Sequence, residues 1–291
     1  LRSAPKKQIG AALLAAPGVL WLVIFGLVPV GLAVAISFWR STLYGTQPDF
    51  TLVNYSRALV TPLYRDQLFR TLWLSALTTA LTLVLSYPVA LFLARLRGRA
   101  KPIFVLLLFL PFWTSYVVRT FVWLPILGRN GVINDALLGL GVIDQPLDWL
   151  LYNQGSVLLG LVYVYCLFMT LPVYLAIEKI DPFLLEAAED LGGRPGQVLW
   201  RVVMPLSGPG VVSGAIMVFL LTIGAYVTPQ MLGGSSGIMF GNVIANQFLA
   251  NNNWAFGSAL SVVLILVVLA LLAATGRWVG LGTVFSDGRA P

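Results

Sequence analysis

From Val202 to Gly276 the chain runs for 75 residues without an Asp, Glu, Lys or Arg. Soluble domains carry about a quarter charged residues, so no water-soluble fold can accommodate so long an uncharged stretch. Three shorter intervals, Gln8–Trp39, Thr71–Ala94 and Trp149–Ile177, are also free of charge. Over all 291 residues 10% are charged and 58% hydrophobic, and the mean hydropathy is +0.88. About 20 apolar residues cross a bilayer as a helix, and the chain reads as an all-α integral membrane protein. It has no histidine and a single cysteine, Cys166. That inventory removes disulfide frameworks, histidine-ligated metals and Ser-His-Asp or Cys-His nucleophiles.

Six spans are expected, at about 9–39, 71–94, 102–127, 155–177, 210–232 and 256–276, forming one membrane domain over 1–291. The first follows Arg2, Lys6 and Lys7 and so resembles a secretory signal, yet it continues through Trp21, Phe25 and Ile36 to Phe38. A signal's apolar region covers only about 7 to 15 residues. The sequence opens at Leu1, so its start is expected to lie upstream or to use an unusual codon. The 75-residue interval divides at Gly233–Asn253, where Gly-Gly-Ser-Ser-Gly and Asn-Asn-Asn clusters read as loop.

Orientation follows from the basic residues, which are retained in the cytoplasm near span ends. The N-terminus, the 95–101 loop, the 178–209 loop and the C-terminus share one side and carry 3, 4, 3 and 2 of them. The other side carries Arg40, Arg57, Arg65, Arg70 and Arg129, and Arg119 lies within a span. Both termini are therefore expected inside. This asymmetry accounts for most of the net charge of +7 and displaces a nucleic-acid reading, which needs a basic face on a soluble fold. Trp39, Trp73, Trp149, Trp254 and Trp278 lie at the expected span ends, where amphipathic rings favour the headgroup region.

Eight of the 29 charges fall between Glu178 and Arg201, and five of these are acidic. Asp181 followed by Pro182 makes a helix start, because Asp accepts from free backbone N–H groups and Pro suits the first helical position. The helix is expected to run through Leu184, Leu185, Ala187, Ala188 and Leu191, ending in a left-handed turn at Gly192-Gly193. Pro195 opens a second short helix with Val198, Leu199 and Val202 on one side, expected to stop before Pro205. The result is a helical hairpin outside the membrane with an apolar strip that needs a cover.

The order Glu186-Ala187-Ala188, three residues, Gly192, nine residues, Val202, one residue, Met204-Pro205 resembles the cytoplasmic signature of permease subunits in binding-protein-dependent ABC importers. Val202 stands where the family has Ile and Met204 where it has Leu. Further stretches are similar to the spermidine/putrescine branch, in particular its B-type subunits. They include Leu110-Pro111-Phe112-Trp113, Val118-Arg119-Thr120, Pro205-Leu206-Ser207, and Asn253-Trp254 with Gly257-Ser258-Ala259-Leu260. The resemblance implies the type I ABC importer permease fold in a bacterial cytoplasmic (inner) membrane. It makes 178–209 the coupling loop, with Glu186, Ala187, Ala188, Gly192, Val202 and Pro205 at the contact with the motor. It also implies an ATP-binding subunit dimer holding ATP and Mg, a second permease and an extracytoplasmic solute-binding protein. This chain itself has no Gly-x-x-x-x-Gly-Lys-Ser/Thr phosphate loop, and is expected to carry no catalytic residue, metal or cofactor.

Candidates for the translocation pathway are Tyr116, Arg119, Tyr163 and Tyr226, with Tyr165 beside them. Burying an arginine in a span costs about 2.5 to 3.5 kcal/mol on insertion scales. Arg119 therefore either lines the pathway, ties helices together through carbonyls, or snorkels to the outer headgroups. None of the eleven acidic residues lies in an expected span, so a polycationic cargo would rest on aromatic faces or on acids of the partners. Aromatic residues also serve packing, and both readings stand. A self-sufficient secondary carrier or channel is the alternative class, and another small organic solute the alternative cargo.

Overall fold

A computed structural model describes residues 14–42 and 45–279. Arg2, Lys6, Lys7 and Arg289, the start of the first expected span, and the C-terminus from Gly280 lie outside the described residues. Among the described residues five helices are long and apolar enough to cross a membrane, and a sixth span is made if one bent pair counts as a unit. Backbone packing divides the chain into two compact units, one comprising residues up to Arg65 with Ile244–Trp278, and a larger one over Asp66–Val243.

In the first unit, α1 (Leu14–Ser37) leads into a small antiparallel hairpin, β1 (Arg40–Thr42) with β2 (Gly45–Gln47), paired Arg40↔Gln47 and Thr42↔Gly45. This hairpin is the one departure from an all-helical chain among the described residues. Helix α2 (Val53–Val60) is held under the exit of α1, because Asn54 Nδ2 donates to the carbonyls of Ser37 and Trp39 at 2.9 and 2.8 Å.

The second unit begins in α3 (Pro62–Arg95) and continues through α4 (Ala100–Phe109), α5 (Tyr116–Phe121), α6 (Trp123–Leu127) and α7 (Val132–Gly139). It is built around α8 (Gln154–Glu178), whose start is fixed by a capping box: the Asn153 side chain accepts from backbone N–H groups and Ser156 answers. Leu161, Val164, Met169 and Val173 of α8 pack with Leu74, Tyr87 and Ala90 of α3 and with Val218 in a common apolar core. After α8 come α9 (Pro182–Asp190), α10 (Pro195–Ile223), α11 (Val227–Leu232) and α12 (Phe240–Leu249); α13 (Trp254–Val279) returns to the first unit. Cys166 is half-buried on α8, and its sulfur lies 3.3 Å from Ser86 Oγ.

The contact between α8 and α10 depends on missing side chains. A methyl group on Gly210 would press into Ala176 Cβ and stand 2.5 Å from the Pro172 carbonyl oxygen, and one on Gly214 would meet Met169 Sδ at 2.9 Å. Gly210 and Gly214 are four residues apart, the small-xxx-small spacing that lets membrane helices approach closely. At 210 and 214 that spacing makes a helix contact.

Four expectations change. The span expected over 102–127 is not one helix: α4 with a 3-10 turn, Leu110–Trp113, meets α5 at 91°, the break falling at extended Thr114 and Ser115. Pro111 opens that turn, and the Thr114 hydroxyl donates back to the Pro111 carbonyl at 2.7 Å. The span expected at 210–232 runs instead from Pro195 to Ile223, and 227–232 is a separate short helix. Pro205 does not end the second arm of the hairpin. A π turn over Leu199–Val203, closed by the Met204 N–H on the Leu199 carbonyl, widens the helix ahead of the proline that lacks a donor. The same device, Val23–Leu27, precedes Pro29 in α1. Finally, part of the region read as loop at 233–253 is α12.

Candidate coupling hairpin and membrane polar cluster

The segment from Asp181 to Pro205 begins as its sequence requires. Asp181 accepts the Phe183 N–H at 3.0 Å, and Pro182 stands in the first turn of α9. The helix closes where Gly192 takes φ +83, a left-handed conformation that costs glycine nothing. Gly193 then donates to the Ala188 carbonyl at 3.0 Å, completing the turn.

Val198 and Val203 are buried, and Val202 is half-buried against the hairpin's own root. The outer surface is different. Phe183, Leu191 and Trp200 are 76%, 89% and 69% exposed, with Glu186 and Ala187 open beside them and Ala188 half-buried. Phe183 and Leu191 lie on the hairpin outside the long apolar spans, so solvation there is unfavourable unless something covers them, whereas Trp200 stands in the first turns of α10. Glu186, Ala187 and Gly192 are thus all exposed, the first two on α9 and Gly192 just past its end, whereas Val202 and Pro205 belong to α10 and root the hairpin in the membrane helix. Phe183, Leu191 and Trp200 were not singled out from sequence; their position just after the Asp181 cap and around the Gly192 turn was the available signal.

The hairpin's base is pinned by Lys101 at the start of α4, whose Nζ lies 2.5 Å from Glu178 Oε1 at the end of α8. Both side chains still reach solvent, which holds such a pair to at most about 1 kcal/mol. Lys101→Gln is expected to lower the thermal midpoint of the purified protein by no more than about 2–4 °C, with Lys101→Glu/Glu178→Lys restoring it; a collapse of the fold in the single variant would contradict this small value.

The pathway candidates divide into separate places. Tyr116 hydroxyl and Thr228 Oγ1 are 2.8 Å apart, and Thr120 lies 3.2 Å from the same Thr228 oxygen, joining α5 to α11. Among the described residues Arg119 neither bonds carbonyls nor stands free. Its guanidinium lies 4.3 Å from the centre of the Phe112 ring, and its Nε is buried without a hydrogen-bond partner. Phe112 in turn meets Phe168 of α8 edge-on at 5.5 Å, and Tyr165 follows at 6.2 Å. Tyr163 is elsewhere, edge-on to Trp123 and lining an apolar cavity of about 530 Å³ between α3 and α8. Tyr226 is half-buried at the start of α11, where its carbonyl accepts from Asn242. No ring contact joins Tyr163 to Tyr226 among the described residues.

Comparison with known proteins agrees with this architecture. Residues 76–281 match the family described as binding-protein-dependent transport system inner membrane component. The chain is 39% identical over 253 residues to the spermidine/putrescine transport system permease protein PotB of Escherichia coli K12, covering 87% of this chain and 91% of that one. It is 34% identical to the inner membrane ABC transporter permease protein YdcU of the same strain, covering 79% and 76%. In fold it is similar to a chain of a bacterial ABC transporter involved in import of the acidic polysaccharide alginate, with TM-score 0.70 over 94% of this chain and 96% of that one at 17% identity. The chain belongs to the binding-protein-dependent inner membrane component family, as a non-catalytic, multi-pass permease subunit of an ABC importer with the type I fold.

Proposed function

We propose that this permease forms half of a transmembrane pathway for a polyamine, that its Asp181–Pro205 hairpin faces the cytoplasm, and that the hairpin docks in a separate ATP-binding subunit. The observation that carries the docking is the exposure of the apolar side chains Phe183 and Leu191, outside the long apolar spans, beside the exposed Glu186 and Gly192. Small Ala187 and Ala188 permit close approach, and Glu186 offers a carboxylate to a basic groove. A dimer of ATP-binding subunits, with ATP and Mg, supplies the drive, and its closure is passed through the hairpin into α10, with which it is continuous. A second permease completes the pathway, a solute-binding protein delivers cargo outside, and both termini lie in the cytoplasm. The polyamine assignment is supported by the similarity to PotB.

Purification of the tagged chain in mild detergent from its host tests the assembly. Co-purification of an ATP-binding chain and a second multi-span chain is the expected result, and a chain recovered alone, intact and active in uptake would favour a self-sufficient carrier. On the cargo side, Tyr116, Arg119, Tyr163 and Tyr226 are proposed to line the pathway, with aromatic faces meeting ammonium groups in place of carboxylates. Replacing Tyr163 and Tyr226 together with alanine is expected to raise the KM for spermidine uptake about tenfold, since an exposed cation–π contact is worth about 0.5–1 kcal/mol each. Unchanged uptake kinetics in a normally assembled variant would count against both tyrosines.

A further inference from the structure

Beside the hairpin's base lies a cavity of about 670 Å³, bounded by the end of α3, the start of α4, the end of α8, α9 and the first turns of α10. Its wall is of two kinds. Leu91, Leu185, Val198 and Val203 are among its apolar lining residues, and Arg95, Arg97 and Lys101 line it as well. Lys101 is already engaged by Glu178. Arg95 and Arg97 have no ion pair, hydrogen bond or ring contact among the described residues, although the carboxylate of Glu189 lines the same cavity. Two permanently charged guanidiniums in a cavity with apolar lining, where three membrane helices end, suit an amphipathic anion. Guanidinium forks match phosphate oxygens in pairs, and basic pockets between membrane helices on the cytoplasmic side bind anionic head groups.

We infer that this cavity holds the phosphate and glycerol region of an anionic phospholipid, with Arg95 and Arg97 on the phosphate and the apolar lining against the first part of an acyl chain. A volume of this size fits a drug-sized ligand, about 300–1,000 Å³, and so the head and upper chain of a lipid. The inference rests on the cytoplasmic placement proposed above. Because Leu185 of α9 and Val198 of α10 form part of the wall, the lipid braces the hairpin from behind and leaves the face bearing Phe183 and Glu186 open. Coupling between ATP hydrolysis and uptake therefore depends on anionic lipid.

The test uses the complete importer, in nanodiscs of phosphatidylcholine alone or mixed with phosphatidylglycerol, with native mass spectrometry for retained lipid and solute uptake in matched vesicles. Wild type is expected to retain phosphatidylglycerol and to take up more solute per ATP when it is present. The Arg95→Gln/Arg97→Gln variant is expected to retain it about thirtyfold more weakly and to run at one rate in both membranes, with Arg95→Lys/Arg97→Lys intermediate. Equal lipid retention and equal phosphatidylglycerol dependence in wild type and the Gln variant would overturn the inference. So would stimulation of wild type in pure phosphatidylcholine by inorganic phosphate, which would assign the cavity to a free anion. An Arg97→Cys variant tests the placement separately. Labelling by an impermeant maleimide only from the cytoplasmic side retains the orientation whatever the lipid result, and labelling only from outside removes the basis of both readings.

Discussion

Gly192→Asp and Glu186→Lys are each expected to cut uptake at least tenfold while the protein still inserts and accumulates. At position 192 a new side chain meets nothing within 4 Å, so the variant has no internal clash. Its costs are the left-handed φ of +83, of order 1 kcal/mol for a non-glycine residue, and a new carboxylate beside Glu189 and Asp190 on a surface proposed to enter a partner's groove. Glu186 is exposed, and reversing its charge removes attraction to a basic partner without touching the core. A tenfold loss needs only about 1.4 kcal/mol of docking free energy. Uptake and ATP hydrolysis measured in the same vesicles are expected to show hydrolysis without transport, or neither, and full coupled transport by both variants would contradict the docking role.

The second large effect lies within the membrane. Gly210→Leu is expected to reduce the membrane-inserted protein to a small fraction of wild type, because α8 and α10 then cannot meet. Even the first carbon of the new side chain collides with Ala176 and the Pro172 carbonyl, and the backbone on that side cannot yield as a side-chain tip would. Overpacking a core typically costs about 1–3 kcal/mol, and here it falls on the contact that holds the hairpin's root. Gly208→Leu is the control, since nothing lies within 4 Å of that position; it is expected to accumulate normally. Comparable loss in both variants would show that helix propensity, rather than close approach, sets the effect.

What was legible in the sequence followed from charge and from side chains that act locally. Uncharged intervals located the membrane helices, and Asp181, Pro182 and Gly192 marked α9 because each acts on the backbone beside it. The break at Thr114–Ser115 was hidden, since Pro111 reads no differently from Pro88 and Pro172, which lie inside long helices, and hydropathy does not record a 91° turn. Pro205 was misread for a related reason: a proline removes one donor, and whether the chain stops or widens into a π turn depends on what packs around it. Without charges to mark an end, the sequence places the fifth span too far along, and α12 is hidden by Gly and Asn residues on both its flanks and, at Gly241, Asn242 and Asn246, inside it. Arg119 stood out at once as a charge within a span, but its partner, the Phe112 ring across the break, could be found only when the bend was known.

The most direct measurement is a cross-link from position 186. A Glu186→Cys variant in a background lacking Cys166, treated in native membranes with a short thiol-to-amine reagent, reports what covers the hairpin. The account predicts an adduct with the ATP-binding subunit whose yield changes when ATP is added. Cross-links to lipid alone, or no adduct while solute uptake continues at its normal rate, would contradict it.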